Sequence, residues 1–210
     1  MANLDFINNR VSVRDFADKD IPIEDIKEII SAAGKAPSGT NAQNWHFVVV
    51  KNKTVIKKMT DIISKNVLKM ASILPEEKAE SYRRFSRFSV FIEKAPVVIA
   101  VFAGEYGIKF SEELLNNDKT KEMMERMIKA NPGKQSIGAA IENLLLAAAS
   151  MGYGGCWMTS INHSGADLEN LLGFKKDGYM LCALIPIGVP AVETKNPPKK
   201  SLDEIMTIIE

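Results

Sequence analysis

Cysteine is scarce in this chain: Cys156 and Cys182 are the only two in 210 residues, and both sit inside apolar runs. Two thiols without metal-ligand spacing make neither a disulfide scaffold nor a zinc site, and they read as buried free thiols of a reducing compartment. Histidine is as rare. His46 enters a strand-like run and His163 a turn, which leaves a Ser-His-Asp triad or a metal site without support; both read as structural or surface residues. Charge of one sign is lacking too, with Lys plus Arg at 27 and Asp plus Glu at 26. A nucleic-acid surface needs a basic excess on one face, so none is expected, while near-neutrality leaves association into an oligomer unopposed. The longest apolar stretches, Pro96 to Ala103 and Tyr179 to Val189, fall well short of the roughly 20 residues of a membrane helix. Met1-Ala2-Asn3-Leu4-Asp5 shows no basic region followed by an apolar core, so a soluble cytoplasmic protein is expected. No G-x-G-x-x-G occurs, which speaks against a Rossmann cofactor site.

What remains is an ordinary globular composition, 46% hydrophobic and 25% charged, of a length suited to one domain. Asp20-Ile21-Pro22-Ile23-Glu24 opens a helix with Ile23, Ile26, Ile30 and Ala33 on one face, stopped by Gly34 and Pro37. His46 to Lys51 reads as a central strand and Ala95 to Ala103 as a second. Lys53 to about Met70 reads as a helix with Val55, Ile56, Met59, Ile62, Ile63 and Val67 inward. Between Pro75 and Glu93, Arg83, Arg84 and Arg87 accompany Tyr82, Phe85, Phe88 and Phe91; the pattern fits a cover or a subunit contact. Ser111 to Ala130 reads as one amphipathic, Met-bearing helix, and Gln135 to Met151 as the most apolar one, suited to the centre of the fold or a dimer interface. A strand over Tyr153 to Ile161, a helix over Gly165 to Leu172 and a strand over Tyr179 to Gly188 follow. Residues 189–200 read as an extended arm before a small helix, Leu202 to Ile209. The irregular alternation implies α+β, or α/β with helices on both faces of a sheet.

Four segments carry chemistry. In Arg10-Val11-Ser12-Val13-Arg14, alternation points two guanidiniums and a hydroxyl the same way, either as an anion cradle or as a solvated edge. In Ala36 to Phe47, the side chains of Ser38, Thr40, Asn41 and Gln43 suit an amide-like ring edge, or plain turn chemistry, with Trp45 in the core. In Gly152 to Ser160, glycines let backbone approach a flat ligand, or simply end a helix before a buried strand. The arm Lys195-Asn196-Pro197-Pro198-Lys199-Lys200 offers stiffened point charges for a phosphate, or a solvated tail.

In this order the four segments resemble the nitroreductase family of FMN enzymes over essentially the whole chain: R-x-S-x-R-x-F at Arg10 to Phe16, A-P-S-x-x-N-x-Q-x-W at Ala36 to Trp45, an apolar helix and glycine turn at Gln135 to Ser160, and G-x-P with a basic arm at Gly188 to Lys200. The resemblance implies an α+β nitroreductase-like fold, a central, mainly antiparallel sheet flanked by helices. It also implies a homodimer intertwined by exchanged C-terminal arms, with two FMN sites between the subunits. The chain would be a single domain, 1–210, with residues 75–130 as a variable substrate or cover region and 189–210 as the arm. FMN would meet Arg10, Val11 and Ser12 at its phosphate and ribityl end, with Lys199 or Lys200. Arg14 would lie at the pyrimidine edge, and Trp157, Met158, Thr159 and Ser160 along the ring, with a Thr159 or Ser160 N–H directed at N5. Pro37, Ser38, Gly39, Asn41 and Gln43 would serve the flavin of the other subunit. Asn44 departs from the family pattern, where proline is commonest, and lysines fill the arm where arginine is frequent.

The implied activity is ping-pong reduction of nitroaromatic, quinone or related small acceptors, driven by NADH or NADPH. No protein nucleophile, metal, membrane or nucleic acid takes part; Arg14 would stabilise the reduced flavin as a fixed charge. The alternatives are a non-catalytic FMN store or sensor, and a reductive dehalogenase or flavin-breakdown relative of the same fold.

Overall fold

The computed structural model describes residues 4–86 and 89–210, so Arg87 and Phe88 of the arginine-aromatic stretch lie outside the described residues. After a short α1 (Asp5–Asn8), α2 spans Ile23–Ala33. Pro22 sits at its N-cap, and the core face is Ile26, Ile29 and Ala33; Ile23, expected inward, is half exposed, while Ile21 just ahead of the helix is fully buried. β1 (Trp45–Val50), α3 (Lys53–Ala71), α4 (Glu76–Ser86) and β2 (Val97–Gly104) follow. Asn52 caps α3 by accepting from the Thr54 and Val55 N–H groups, and Ile56, Met59, Ile63 and Val67 are buried as the spacing required.

Ser111 to Ala130 is two helices, α5 (Ser111–Leu115) and α6 (Lys121–Ala130). The break has a local cause: Asn117 Oδ1 accepts from the Lys119 N–H, and Thr120 Oγ1 donates to the Leu114 carbonyl, so side chains replace the helical ladder there. Asn131, left-handed at φ 49°, both ends α6 and caps α7 (Pro132–Ser150), whose first residue is a proline. β3 is only Gly154–Gly155, shorter than the strand expected over Tyr153 to Ile161. Its partner strand explains the shortfall. The Cys156 N–H donates to Pro186 O at 3.3 Å, but Pro186 has no N–H to return, and beyond a single Met158–Leu184 bridge the chain turns into a 3₁₀ segment, Ser160–Ser164. α8 (Gly165–Leu172) and β4 (Tyr179–Gly188) agree with the sequence reading. α9 covers Leu202–Ile205 alone, because Met206 is extended.

The sheet order is β1-β2-β4-β3 with every strand pair antiparallel. β1 is therefore an edge strand, not a central one. An apolar run fits either place when helices cover both faces, and it is β2, buried along nearly its whole length, that takes the centre. Alternate β2 residues face two cores. Val97, Ile99, Val101 and Ala103 pack with α2 and α7; Val98, Ala100 and Phe102 pack with α3 and α8. A register shift at Val101/Phe102 keeps Ala183 in the first core and Leu181 in the second. The antiparallel sheet flanked by helices on both faces is the α+β class that the motifs implied. Residues 189–196 run along the chain's own N-terminal segment: the Ala17 N–H donates to Val189 O and the Ala191 N–H to Asp15 O. Beyond it, Leu202, Ile205, Met206, Ile208 and Ile209 are all exposed. Among the described residues no helix is long and apolar enough to cross a membrane.

Candidate functional site

The arginine segment is fixed by its valines. Val13 is buried, its N–H donates to Gly155 O at 3.0 Å, and Ser12 bridges Gly155 in parallel. Val11 packs on the same core, so Arg10, Ser12 and Arg14 are left on the opposite side, as alternation required. Close approach is possible because position 154 is glycine: a Cβ there would lie 2.3 Å from Val13 Cγ2. The segment thus meets the Gly152 to Ser160 stretch directly. Burial pushes the Cys156 thiol up, while the positive charges of Arg14 and Arg10 oppose that shift. Among the described residues Arg10 pairs with Glu142, whereas Arg14, Lys199 and Lys200 have no carboxylate within ion-pair distance. The result is a local excess of cations in a chain that is neutral as a whole.

The neighbouring stretch is divided by burial. Trp157 is half exposed, and its indole lies against Gly138 of α7. Met158 has its side chain in the core and exchanges both backbone hydrogen bonds with Leu184. Thr159 and Ser160 are exposed, and their N–H groups find no acceptor among the described residues. Ser160 Oγ lies 3.4 Å from Oγ of Ser89, so the end of the 75–93 stretch reaches this place. The arm also arrives here. Asn196 Nδ2 donates to Arg10 O at 3.0 Å, and Lys199 and Lys200 follow within about 14 Å of extended chain.

The Ala36 to Phe47 loop lies elsewhere. Gly39 N–H donates to Ser136 Oγ at 3.3 Å, and Tyr106 packs so tightly on Gly39 and Gly133 that a Cβ on either would come within 2.6 Å of it. Ser136 and Glu142 are both on α7, but six residues separate them, about 9 Å along the axis and about 120° around it. Within one chain the loop and the arginines are therefore not brought together. Pro37, Asn41 and Gln43 are exposed, Ser38 and Gly39 half-buried, and Ser38 Oγ accepts from the Gln43 N–H. Thr40, Asn41 and Gln43 have φ of 52°, 55° and 45°. Asparagine tolerates that region; threonine does not, so the loop holds stored strain of the kind found at binding surfaces. Asn44, the departure from proline, is buried. Its Nδ2 donates to Gly104 O at 2.9 Å, its backbone O accepts from the Gly104 N–H, and its Oδ1 has no partner among the described residues.

Two cavities mirror this division. One of about 180 Å³ adjoins Arg10, Val11, Tyr153 and Gly155. The larger, about 570 Å³, adjoins Asn44, Tyr106, Lys134 and Tyr179 beside the loop. The smaller is below the range of about 300–1,000 Å³ that holds a cofactor-sized ligand, and it is not lined by Ser12, Arg14, Trp157, Thr159 or Ser160. The histidines belong to neither. His46 stacks on Phe174 at 4.2 Å, and His163 Nδ1 lies 2.8 Å from Ser164 Oγ; burial lowers both pKa values. No cluster able to hold a metal occurs among the described residues. The residues whose contacts sequence reading missed are Glu142, Tyr106 and Asn196. Only Glu142 had a signal, as the sole acidic residue of α7.

Comparison with known proteins accords with these features. A family model described as the nitroreductase family matches residues 7–189. Iodotyrosine deiodinase from Hydra vulgaris is 30% identical over 205 residues, 95% of this chain and 70% of that protein. A BluB-like flavoprotein from Clostridium difficile 630 is 41% identical, with a TM-score of 0.92 over 100% of both chains. An FMN-dependent nitroreductase from Mycobacterium smegmatis, in complex with NADPH, shares the fold at a TM-score of 0.71 and 18% identity, over 98% of this chain and 96% of that one.

Proposed function

The chain belongs to the nitroreductase family, and from that premise we propose an FMN-dependent oxidoreductase that takes electrons from NADH or NADPH and reduces small acceptors, working as a homodimer. One observation carries the reading: Arg10, Ser12 and Arg14, pinned on Gly154–Gly155, share one place with the exposed Trp157 and the unclaimed Thr159 and Ser160 N–H groups. Excess cations, a free hydroxyl, a flat aromatic and free N–H donors fit a phosphate joined to a planar ring that has acceptor atoms on its edges. Arg10 and Ser12 hold the phosphate and ribityl end, with Lys199 or Lys200. Arg14 supplies fixed positive charge at the pyrimidine edge, where reduction adds negative charge. The bound flavin supplies the hydride chemistry, and the protein supplies binding, orientation and electrostatics.

Pro37, Asn41 and Gln43 are exposed, Ser38 and Gly39 half-buried, and this loop does not reach the arginines within its own chain. In the dimer each loop serves the site of the other subunit, and the exposed apolar residues beyond Ser201 dock on that subunit. Residues 75–130 form the variable cover that selects the acceptor, since Ser89 already touches Ser160.

The test is a visible spectrum of the purified protein, followed by NADH and then NADPH without oxygen. Flavin bands that bleach, and that return with a nitroaromatic or quinone, support the reading. Bands that persist with both nucleotides favour a store or sensor; a colourless protein that fails to take up added FMN refutes the cofactor. The 30% identity to the Hydra deiodinase supports a second reading, reductive removal of halogen. Iodotyrosine as the acceptor separates the two.

A further inference from the structure

Glu142 has no place in the roles given so far, yet it contacts the first residue of the cradle. Its Oε1 lies 3.1 Å from Arg10 Nε, with the Arg10 side chain 22% exposed and the Glu142 side chain 44%. The atom used matters. A guanidinium offers Nε–H on one edge and two Nη groups on the other, in a rigid plane. The carboxylate lies beside the first as an ion pair rather than a directed N–H···O bond, and no described residue pairs with the second. The Arg10 backbone is held as well: its N–H donates to Ile7 O at 3.3 Å and its carbonyl accepts from Asn196 Nδ2 at 3.0 Å. Glu142 stands on the rigid α7, one turn beyond Gly138, and the Trp157 ring lies against that glycine. Arg10 and Trp157 are therefore aligned along one face of the same helix.

We infer that Glu142 is a positioning residue: it grips Arg10 at Nε so that the Nη edge is presented to the phosphate of FMN. The inference rests on the flavin reading above. A carboxylate close to a phosphate site has an opposing effect, since its charge repels the ligand. Alanine removes grip and repulsion together, whereas glutamine keeps an acceptor oxygen for Nε–H and removes the repulsion. Orientation therefore predicts that the two variants differ.

The experiment titrates FMN and riboflavin, which lacks the phosphate, into full-length wild type, Glu142→Ala and Glu142→Gln freed of flavin, reading the quenching of flavin fluorescence. Glu142→Ala is expected to weaken FMN about fivefold, the upper end of what a partly exposed pair contributes. Riboflavin affinity stays at its wild-type value, and Glu142→Gln binds FMN as tightly as wild type or tighter. Tighter FMN binding by Glu142→Ala would overturn the inference, showing Glu142 to be a competitor of the phosphate. Equal losses for FMN and riboflavin, or no change at all, would overturn it as well. So would a loss in Glu142→Gln as large as in alanine, since charge and not orientation would then matter. Each of these leaves the flavin reading standing, provided wild type binds FMN; a wild type that binds neither flavin overturns that reading and this one with it.

Discussion

The contact between Val13 and Gly154 is where the proposed site and the stability of the fold can be perturbed together. In Gly154→Ala the new Cβ would lie 2.3 Å from Val13 Cγ2, 2.6 Å from Val13 Cβ and 3.1 Å from Pro190 Cγ. A change of valine rotamer moves Cγ2 away but leaves Cβ in place. Ordinary carbon contact needs about 3.5–4.0 Å, so the backbone of residues 12–14 must retreat by about an ångström. That retreat strains the Val13 N–H bond to Gly155 O and lifts a buried side chain from the core. Overpacking of this kind costs about 1–3 kcal/mol, and two stiff neighbours place it in the upper half. For a chain of this length, 2–3 kcal/mol lowers Tm by about 5–10 °C. The assay is thermal unfolding of the flavin-free protein at one fixed concentration, because ligand and subunit association would both add stability. Gly107→Ala is the control, since nothing lies within 4 Å of its added Cβ; it should stay within about 0.5 kcal/mol of wild type. FMN affinity should fall in Gly154→Ala alone, because Ser12 and Arg14 flank the displaced residue. Adding Val13→Ala removes the 2.3 Å contact but not the 2.6 Å one, so rescue is partial. A Gly154→Ala protein that matches the Gly107 control in both measurements would refute the claim that this contact holds the cradle.

Two further perturbations follow from the same geometry. Arg14→Ala should weaken FMN binding or lower the potential of the bound flavin by about 30 mV, the equivalent of one charge-assisted hydrogen bond; redox titration and fluorescence check it, and unchanged affinity with unchanged potential refutes the role. Tyr153 Oη donates to Asp25 at 2.5 Å, and that bond, reinforced by burial, lifts the tyrosine from 10.0 to about 12. A pKa raised on folding contributes stability that is complete below pH 10 and lost as pH rises through about 12. Tyr153→Phe should therefore cost roughly 1 kcal/mol at neutral pH and flatten stability between pH 10 and 12, as followed by urea unfolding; an unchanged alkaline profile would show that the bond contributes nothing.

Element types were legible in the sequence wherever a single physical cause dominated. The i, i+3, i+4 spacing of Ile56, Met59 and Ile63 produced the helix it announces, and the buried runs of β2 and β4 produced strands, whereas Asn131-Pro132, which reads as the end of one helix, also starts α7. Boundaries failed where a side chain or a distant strand intervened. Asn117 and Thr120 divide the helix expected over Ser111 to Ala130, although its apolar periodicity is continuous. Pro186, some thirty residues downstream, curtails β3, and nothing local to Gly154 carries that information. β1 shows the same limit, because an edge strand covered by helices has the composition of a central one.

The site was legible as four segments but not as an arrangement. Alternation identified the common side of Arg10, Ser12 and Arg14, and glycine at 154 marked the close approach that anchors them. The fold of one chain then joins three segments, through the Val13 N–H bond to Gly155 O and the Asn196 bond to Arg10 O, and leaves the fourth against Ser136 and Tyr106. Under the proposed homodimer, a second copy would bring the loop of one chain to the arginines of the other and cover the exposed apolar residues of the arm. The left-handed Thr40 and Asn41 fit that division, because strain in a loop that nothing in its own chain rewards is offset when the loop meets a ligand held elsewhere.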